Sequence, residues 1–385
     1  MKVALLHNLP VGGASRQASE WNRELESAGW ETREVRLAGA AQLTDQGHVV
    51  AYFDRAREAR RALRVPAHYI ALAALINAWR RAVHDAEAWG AELLFVQGCK
   101  VLETPIATSF ASVPSVYFAA AGPRRRTYGP PENPVLQLPD SLPRRYVPLE
   151  LAAHTIDAHA YRSASSVLTN SGYTAGWLQG AYGGDTPQVV PGGVSDAFLR
   201  SAPSPDGRGN HLLAVGTLLP HKGFDLAIKV AARVGRPLWI AGPSPSAEYA
   251  RSLESLARDI GCDLTLLGAL ADTDLAKEYR RAHLFIHLTE HEPLGLVSYE
   301  AQTCACPVIV SRSGGLPETV TDGVSGFVVE RDEQALALAV QRLDDTDTHK
   351  RVSDSAEPIG GRMTWAASAK DLMSHLAETA STKRR

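Results

Sequence analysis

Cysteine, net charge and long apolar runs are all scarce in this sequence. The 385 residues include four cysteines, which are too few and too scattered to form a disulfide framework. The formal net charge of −2 at pH 7 argues against a general nucleic-acid binder, because that class carries a clear basic excess. No run approaches the ~20 apolar residues of a membrane span, and Met1–Leu6 is too short for a signal peptide's apolar core. We therefore expect a cytoplasmic protein.

Two of the cysteines, Cys304 and Cys306, are separated by a single residue, which raises the alternative of a metal or redox pair. Zinc sites, however, normally use four ligands with wider spacing. Both thiols also adjoin an apolar, strand-like run. We interpret them as buried, unreactive side chains, as free cysteines commonly are.

The hydrophobic content of 45% is ordinary for a globular protein, and short apolar runs alternate with longer amphipathic stretches. This pattern is typical of βα units on a parallel sheet. The predicted strands are Val3–His7, Ala91–Val96, Ser115–Ala119 and Ser166–Thr169, then His211–Val215, Leu238–Ala241, Leu264–Leu267, Leu284–Leu288 and Val308–Val310. The fold class is therefore α/β, with two doubly wound domains that face a cleft and bind ligands at the carboxyl ends of their strands.

The predicted domain boundaries follow from composition. A stretch rich in proline, glycine and serine, Ser201–Asn210, lacks any periodicity and separates the two series of strands. We expect an amino-terminal domain at 1–195, a linker at 196–210 and a carboxyl-terminal domain at 211–362. Residues 363–385 are predicted to form a carboxyl-terminal helix and a basic tail. This segment could pack back on the amino-terminal domain.

A polar segment follows the predicted strand Leu284–Leu288 and opens a helix. It contains Glu292, Gly295 and Glu300. The glycine lets backbone N–H groups approach a ligand closely, and a helix amino terminus favours an anion. Two glutamates at this spacing are also common on solvent-facing helices, so the segment is weak evidence by itself.

The neighbouring segments strengthen the prediction. Upstream, Val215–Asp225 is predicted to form the end of a strand, then a loop, then the start of a helix. The cationic Lys222 lies at that helix start. That cation is suited to a diphosphate leaving group, on which negative charge accumulates in the transition state. Downstream, Pro307–Glu318 reads as a strand, a glycine turn at Gly314-Gly315 and a short helix.

Together with Gly12-Gly13, Val167–Ser171 and Val189–Phe198, these segments resemble the retaining GT-B glycosyltransferases of family 4, over nearly the whole chain. The resemblance implies two Rossmann-like domains and a nucleotide-sugar donor. It also implies retention of the anomeric configuration without a bound metal or cofactor. Front-face attack is the implied mechanism, in which the leaving phosphate takes the acceptor's proton.

The resemblance also assigns roles to individual residues. Lys222 and Glu292 are the expected catalytic residues: Lys222 contacts the diphosphate and Glu292 the sugar hydroxyls. Glu300 holds the donor ribose. The further expected donor-binding positions are Gly12, Gly13, Thr217, His221, Gly295 and Leu296, with the loop at Gly13 reaching the same phosphates from the other domain.

The sequence departs from the family pattern in three places. Thr217 stands where the family often has arginine, and His221 beside Lys222 is the expected compensation. Ala120 and Ala121 occupy positions where many members carry a sugar-contacting histidine, so the donor's identity stays open. Ala305 replaces a glycine that follows the helix of Glu300.

The acceptor half is less defined by sequence. Arg16 beside the glycine loop, and Arg124, Arg125 and Tyr128 in a long basic and aromatic loop, are the expected acceptor-binding residues. Loops of that length are usually functional or mobile, and a solvated surface loop is the alternative.

A basic stretch, Arg55–Arg64, precedes an apolar helix. A membrane surface could bind it, but we favour an ordinary domain helix, because the basic and apolar parts are sequential rather than on opposite faces.

Three functions are weighed. The first is transfer of a sugar to a small-molecule acceptor, in specialised-metabolite biosynthesis, by a monomer or homodimer. The second is a sugar-nucleotide epimerase or hydrolase on the same architecture, and the third is a catalytically weak sugar-nucleotide-binding protein. Asp272-Thr-Asp274 matches a metal-binding string of transferases with another fold, but it begins a helical pattern. We therefore expect Asp272 to cap that helix and predict no metal.

Overall fold

The computed structural model describes residues 1–7, 9, 13–37, 67–98, 105–122, 147–201 and 207–382. The chain divides into two compact units, Met1–Pro191 with Ser368–Arg385, and Gly192–Ala367. Among the described residues, each unit contains a six-stranded sheet in which all neighbouring strands are parallel. The prediction of two doubly wound α/β units is confirmed.

The first unit has the sheet order β2-β1-β3-β4-β5-β6. Its described strands are β1 Lys2–His7, β2 Glu31–Arg36, β3 Leu93–Gln97, β4 Ser115–Ala119, β5 Ser166–Thr169 and β6 Gln188–Val189, and its helices are α1 Gly13–Ser27, α2 Ala67–Ala88, α3 Val147–Ser163 and α4 Gly172–Tyr182. Trp21 of α1 packs its ring edge-on against Phe118 of β4 at 4.6 Å, which fixes α1 on one face of the sheet. Large buried aromatic side chains of this kind contribute most to a core of this size.

The second unit has the sheet order β12-β11-β10-β7-β8-β9. Its described strands are β7 Leu212–Val215, β8 Leu238–Ala241, β9 Leu264–Gly268, β10 Leu284–His287, β11 Val308–Ser311 and β12 Gly326–Val329. From β7 the chain builds outward to β8 and β9, then returns to place β10 on the other side of β7. The order therefore reverses between β7 and β10, and such a switch point leaves a crevice at the carboxyl ends of the two strands.

Helices cover both faces of this second sheet. They are α5 Asp196–Leu199, α6 Phe224–Val234, α7 Ala247–Ile260, α8 Asp272–Arg281, α9 Leu296–Thr303, α10 Glu333–Arg342 and α11 Thr346–Gly360. The final helix, α12 Trp365–Thr382, belongs to the first unit from Ser368 onward. Part of the segment predicted as a linker is thus a helix of the second unit, in which Phe198 is fully buried. Among the described helices, none is both long and apolar enough to cross a bilayer.

Some local predictions change. The amino-terminal cap of α8 is Ala271, so Asp272 lies in the first turn instead of capping the helix. A carboxylate in that turn still interacts favourably with the helix dipole. Asp274 Oδ1 accepts a hydrogen bond from Lys277 Nζ at 2.7 Å. Cys304 and Cys306 are free and buried as predicted, and burial raises their pKa values to about 11 and about 12.

Candidate functional site

The loops that follow β7 and β10 meet at the carboxyl edge of the second sheet. The strands are neighbours, with Leu284 opposite Leu212 and Phe285 opposite Leu213. After β7 the chain makes a short 3₁₀ turn, Pro220–Lys222. The two loops are joined by a backbone hydrogen bond from Glu290 N–H to His221 O at 2.9 Å.

Lys222 and Glu292 form an ion pair across this edge. Lys222 Nζ donates a hydrogen bond to Glu292 Oε2 at 2.7 Å, and the side chains are only 21% and 16% exposed. Burial alone would raise the pKa of Glu292, but the neighbouring Lys222 and His287 outweigh it and hold that pKa below its ordinary value. At neutral pH the structure therefore places a fixed cation and a fixed carboxylate side by side at the switch point.

His287, the last residue of β10, is a site residue that sequence reasoning missed. Its side chain is 4% exposed, with Nδ1 3.1 Å from Ser298 Oγ and Nε2 3.8 Å from Glu292 Oε2. Burial, with a smaller contribution from Lys222, lowers its pKa to about 4, so the imidazole is neutral at pH 7. The ring thus packs between Glu292 and the first turn of α9. The available signal was a polar residue inside the apolar run Leu284–Leu288.

Gly295 is the amino-terminal cap of α9, and both its backbone conformation and its close neighbours require glycine. Its φ of 96° lies in the left-handed region, which L-residues rarely adopt. A Cβ there would lie 2.6 Å from Leu316 Cδ2 and 3.1 Å from His287 Cε1. Only glycine therefore lets the helix begin this close to the His287 ring, with Leu296 as its first residue.

Replacing Gly295 with alanine is expected to lower the melting temperature, because the substitution adds steric overlap to backbone strain. The combined cost should be about 2–4 kcal/mol. Gly261→Ala is the matched control, since Gly261 has a φ of 72° but nothing within 4 Å of the added Cβ. That control isolates strain alone, at about 1 kcal/mol. Equal losses for both variants in thermal denaturation would show that the contacts of position 295 with Leu316 and His287 are not tight.

The Gly314-Gly315 turn packs directly against the backbone of the segment that carries Glu292. Gly315 N–H donates to Glu292 O at 2.7 Å, and Ser313 Oγ accepts from His291 N–H at 2.9 Å. A Cβ at Gly314 would lie 2.3 Å from Glu292 O. The glycine pair therefore allows direct contact between two backbones, and this contact fixes the position of Glu292.

Glu300 lies one turn further along α9 and is 9% exposed. Its Oε2 accepts a hydrogen bond from the Tyr279 hydroxyl of α8 at 3.3 Å. Burial, together with the adjacent carboxylate, raises the pKa of Tyr279 well above its ordinary value, so the phenol stays protonated and donates. α8 and α9 therefore orient Glu300 jointly.

The other predicted positions divide between the units. Thr217 follows β7 and is half-buried, and His221 is exposed beside Lys222. Gly13 is the first residue of α1 in the first unit, and Arg16 lies in the first turn of that helix. Gly12, Arg124, Arg125, Tyr128 and the basic stretch Arg55–Arg64 lie outside the described residues. The structure thus brings together Lys222, Glu292, Gly295 and Leu296 within the second unit.

Acid should destabilise the fold through buried histidines in the second unit. Burial is the main cause that lowers the pKa values of His211, His283 and His287 from 6.5 to about 4. Between these values the unfolded chain binds protons that the native state does not, so stability falls as pH falls from 6.5 toward 4. His287→Asn should reduce the slope of unfolding free energy against pH, by less than about a third because the pKa values of His154 and His349 are also lowered. Urea titrations of wild type and variant at pH 7, 6 and 5 measure this slope. An unchanged slope in the variant would contradict a lowered pKa for His287.

A switch-point crevice with a lysine, a carboxylate and a helix amino terminus defines a site of the kind that doubly wound units use for phosphorylated ligands. Residues 196–357 match the family model described as glycosyl transferases group 1. Over 233 residues the chain is 32% identical to the D-inositol 3-phosphate glycosyltransferase of Acidothermus cellulolyticus, covering 54% of this chain and 52% of that protein. The chain spans only 32% to 52% of the length of the first curated relatives.

Solved structures are similar over almost the whole chain. Sucrose-phosphate synthase from Thermosynechococcus elongatus matches with a TM-score of 0.72 and 18% identity, covering 99% of this chain and 100% of that one. Anabaena HepE in complex with UDP-glucose matches with a TM-score of 0.71 and 18% identity, covering 98% and 100%. At such identities the likeness establishes the fold, and the GT-B prediction is confirmed.

Proposed function

We propose that this chain is a retaining, metal-independent glycosyltransferase, which moves a sugar from a nucleotide-sugar donor to a small-molecule acceptor. The observation that carries the proposal is the Lys222–Glu292 pair, with 2.7 Å between Nζ and Oε2, beside the amino terminus of α9. The match of residues 196–357 to a glycosyltransferase family model supports it. The names of the curated relatives are consistent with it.

The proposed donor roles follow from charge and position. Lys222 neutralises the diphosphate as the bond between its oxygen and the sugar C1 breaks, with His221 as a further donor on the same turn. The backbone amides at Gly295 and Leu296 face the same anion. Glu292 accepts hydrogen bonds from sugar hydroxyls, and Glu300 accepts them from the ribose.

The proposed chemistry conserves the anomeric configuration. The acceptor oxygen bonds to C1 on the face from which the diphosphate departs, and the acceptor's proton passes to the departing phosphate oxygen. Among the described residues, no group of three or more histidine, cysteine, aspartate or glutamate side chains could hold a metal. In this proposal Lys222 supplies the positive charge at the departing diphosphate.

The acceptor half of the proposal lies in the first unit. Arg16, Arg124, Arg125 and Tyr128 are its proposed contacts, with Gly12 and Gly13 approaching the donor phosphates. Ala120 and Ala121 follow β4 where the resembling family carries histidine, and Ala120 O accepts a hydrogen bond from Asn170 Nδ2 at 2.9 Å. On this departure we base the proposal of a specialised-metabolite acceptor, modified in the cytoplasm.

A donor screen followed by turnover measurements tests the function. Thermal shift across UDP-, GDP-, ADP- and dTDP-sugars should reveal one donor class, because ligands that bind only the native state raise its stability. Donor consumption is then measured with and without candidate acceptors, in EDTA, and the product anomer is assigned by NMR. Acceptor-independent isomerisation or hydrolysis would support the alternative of a sugar-nucleotide epimerase or hydrolase. Tight binding without turnover would support a catalytically weak sugar-nucleotide-binding protein. An inverted product or loss of activity in EDTA would contradict the proposed mechanism.

A further inference from the structure

The carboxyl end of α9 has an unusual backbone conformation. Ala305 has a φ of 53°, in the left-handed region where glycine is the ordinary residue. Its N–H donates to Gln302 O at 2.8 Å, and Cys306 N–H donates to Ala301 O at 2.9 Å, so the helix closes with the hydrogen bonds of a Schellman-type end. An alanine in this conformation costs about 1–2 kcal/mol relative to its preferred regions. Other contacts must hold it there.

Arg208 makes those contacts from the segment that precedes β7. Its Nη1 donates to three carbonyl oxygens at the end of α8, those of Tyr279 (2.9 Å), Arg280 (3.1 Å) and Ala282 (3.0 Å). Its Nη2 donates to Cys304 O at 3.1 Å and to Ala305 O, at the end of α9. A single guanidinium therefore satisfies carbonyl groups that helix ends leave without partners, and its positive charge offsets the negative ends of both helix dipoles.

These two helices are the ones that hold Glu300. α8 carries Tyr279, whose hydroxyl donates to Glu300, and α9 carries Glu300 itself. α9 is only eight residues long, about two turns, so a shift at its carboxyl end displaces Glu300 and the amino terminus at Leu296 together. Ser353 Oγ also donates to Ala305 O, and Arg280 Nη2 donates to Thr303 O at 3.4 Å.

We propose that Arg208 is a positioning residue for the donor. It locks the carboxyl ends of α8 and α9 and compensates for alanine at position 305, and in this way it holds Glu300 in its donor-binding orientation. The proposal rests on the proposed function, because it assigns Arg208 its effect through the donor that Glu300 binds. The hydrogen bonds of Arg208 go to backbone carbonyls at two helix ends, so we expect its removal to act on donor affinity through Glu300.

Arg208→Met tests this against a matched arginine. Arg236 is also half-buried and also bonds a backbone carbonyl, Asn210 O at 2.8 Å, and it pairs with Asp344 at 2.6 Å. Both variants should lower the melting temperature. Below those melting temperatures, only Arg208→Met should raise the dissociation constant of the nucleotide sugar, by about tenfold, with kcat changed less than about threefold. A similar rise in Arg236→Met, or no rise in Arg208→Met, would overturn the proposal.

Ala305→Gly supplies a rescue that a general loss of stability cannot mimic. Glycine removes the backbone strain, so in the Arg208→Met background it should recover part of both the melting temperature and the donor affinity. The double-mutant cycle should show coupling between the two positions, and strictly additive effects would overturn the proposal. If the wild-type chain binds no nucleotide sugar, both proposals fail. If the wild type binds and Arg208→Met binds equally well, only this one fails.

Discussion

Replacing Lys222 with alanine is expected to slow sugar transfer at saturating donor by about 100- to 1,000-fold, the loss typical of removing one group that stabilises transition-state charge. Nζ lies 2.7 Å from Glu292 Oε2 at the switch point, where the departing diphosphate would gain charge. Donor affinity should fall less than turnover, because that charge develops mainly as the glycosidic bond breaks. The measurement is kcat and donor KM with a fixed acceptor.

Two companion variants separate this effect from misfolding. Lys222→Ala leaves the Glu292 carboxylate without its ion-pair partner, and an uncompensated, largely buried charge destabilises the loop. The double variant Lys222→Ala with Glu292→Gln removes that charge and should recover stability, while turnover stays low. Lys277, an exposed lysine paired with Asp274, is the control, and Lys277→Ala should keep turnover within about twofold. A loss below tenfold for Lys222→Ala would contradict its proposed role.

Replacing Glu300 with alanine is expected to weaken donor binding by about 10- to 100-fold, the effect of losing hydrogen bonds to a charged acceptor. Turnover at saturating donor should change less, because the ribose contacts are the same in the ground state and the transition state. The change is measured as a dissociation constant by calorimetry and as donor KM. Unchanged donor affinity would remove Glu300 from the site.

Tyr279 allows the direct and indirect effects of Glu300 to be distinguished. Tyr279→Phe keeps the carboxylate but deletes its 3.3 Å hydrogen bond. Glu300→Gln keeps an oxygen that can accept from Tyr279 but removes the charge. If the carboxylate itself binds the ribose, Glu300→Gln should weaken donor binding more than Tyr279→Phe does. The reverse order would show that the Tyr279 bond, rather than the charge, determines affinity.

Much of this fold could be predicted because its strands are short apolar runs between longer amphipathic stretches. Ser115–Ala119 and Leu238–Ala241 were predicted with the observed bounds. β2, Glu31–Arg36, was missed because it is an edge strand in which Val35 alone is buried, so its sequence lacks an apolar run. Edge strands of this kind depend on pairing with their neighbour more than on their own composition.

The placement of the candidate site residues was predictable where they follow the ends of strands. Lys222 and Glu292 follow β7 and β10, and the sheet order makes those strands neighbours. His287 and Arg208 were missed for a different reason. The partners of Arg208 are backbone carbonyls at two helix ends, and His287 owes its role to the packing of Gly295 and Ser298 around it. Backbone carbonyl partners have no signature in a single sequence. His287 stands out in the sequence only as a polar residue inside an apolar run, which does not show what packs around it.

The backbone contact between Gly314-Gly315 and the Glu292 segment has a consequence for redesign of the site. Because Gly315 N–H bonds Glu292 O and a Cβ at Gly314 would overlap that same oxygen, the two loops fit as one rigid piece. If Glu292 binds the donor sugar as proposed, exchanging the side chain at position 292 should alter donor preference and leave this backbone contact intact. Lengthening either loop, or grafting one without the other from a related enzyme, would break it. The loop of Glu292 and the loop of Gly314-Gly315 should therefore be exchanged together.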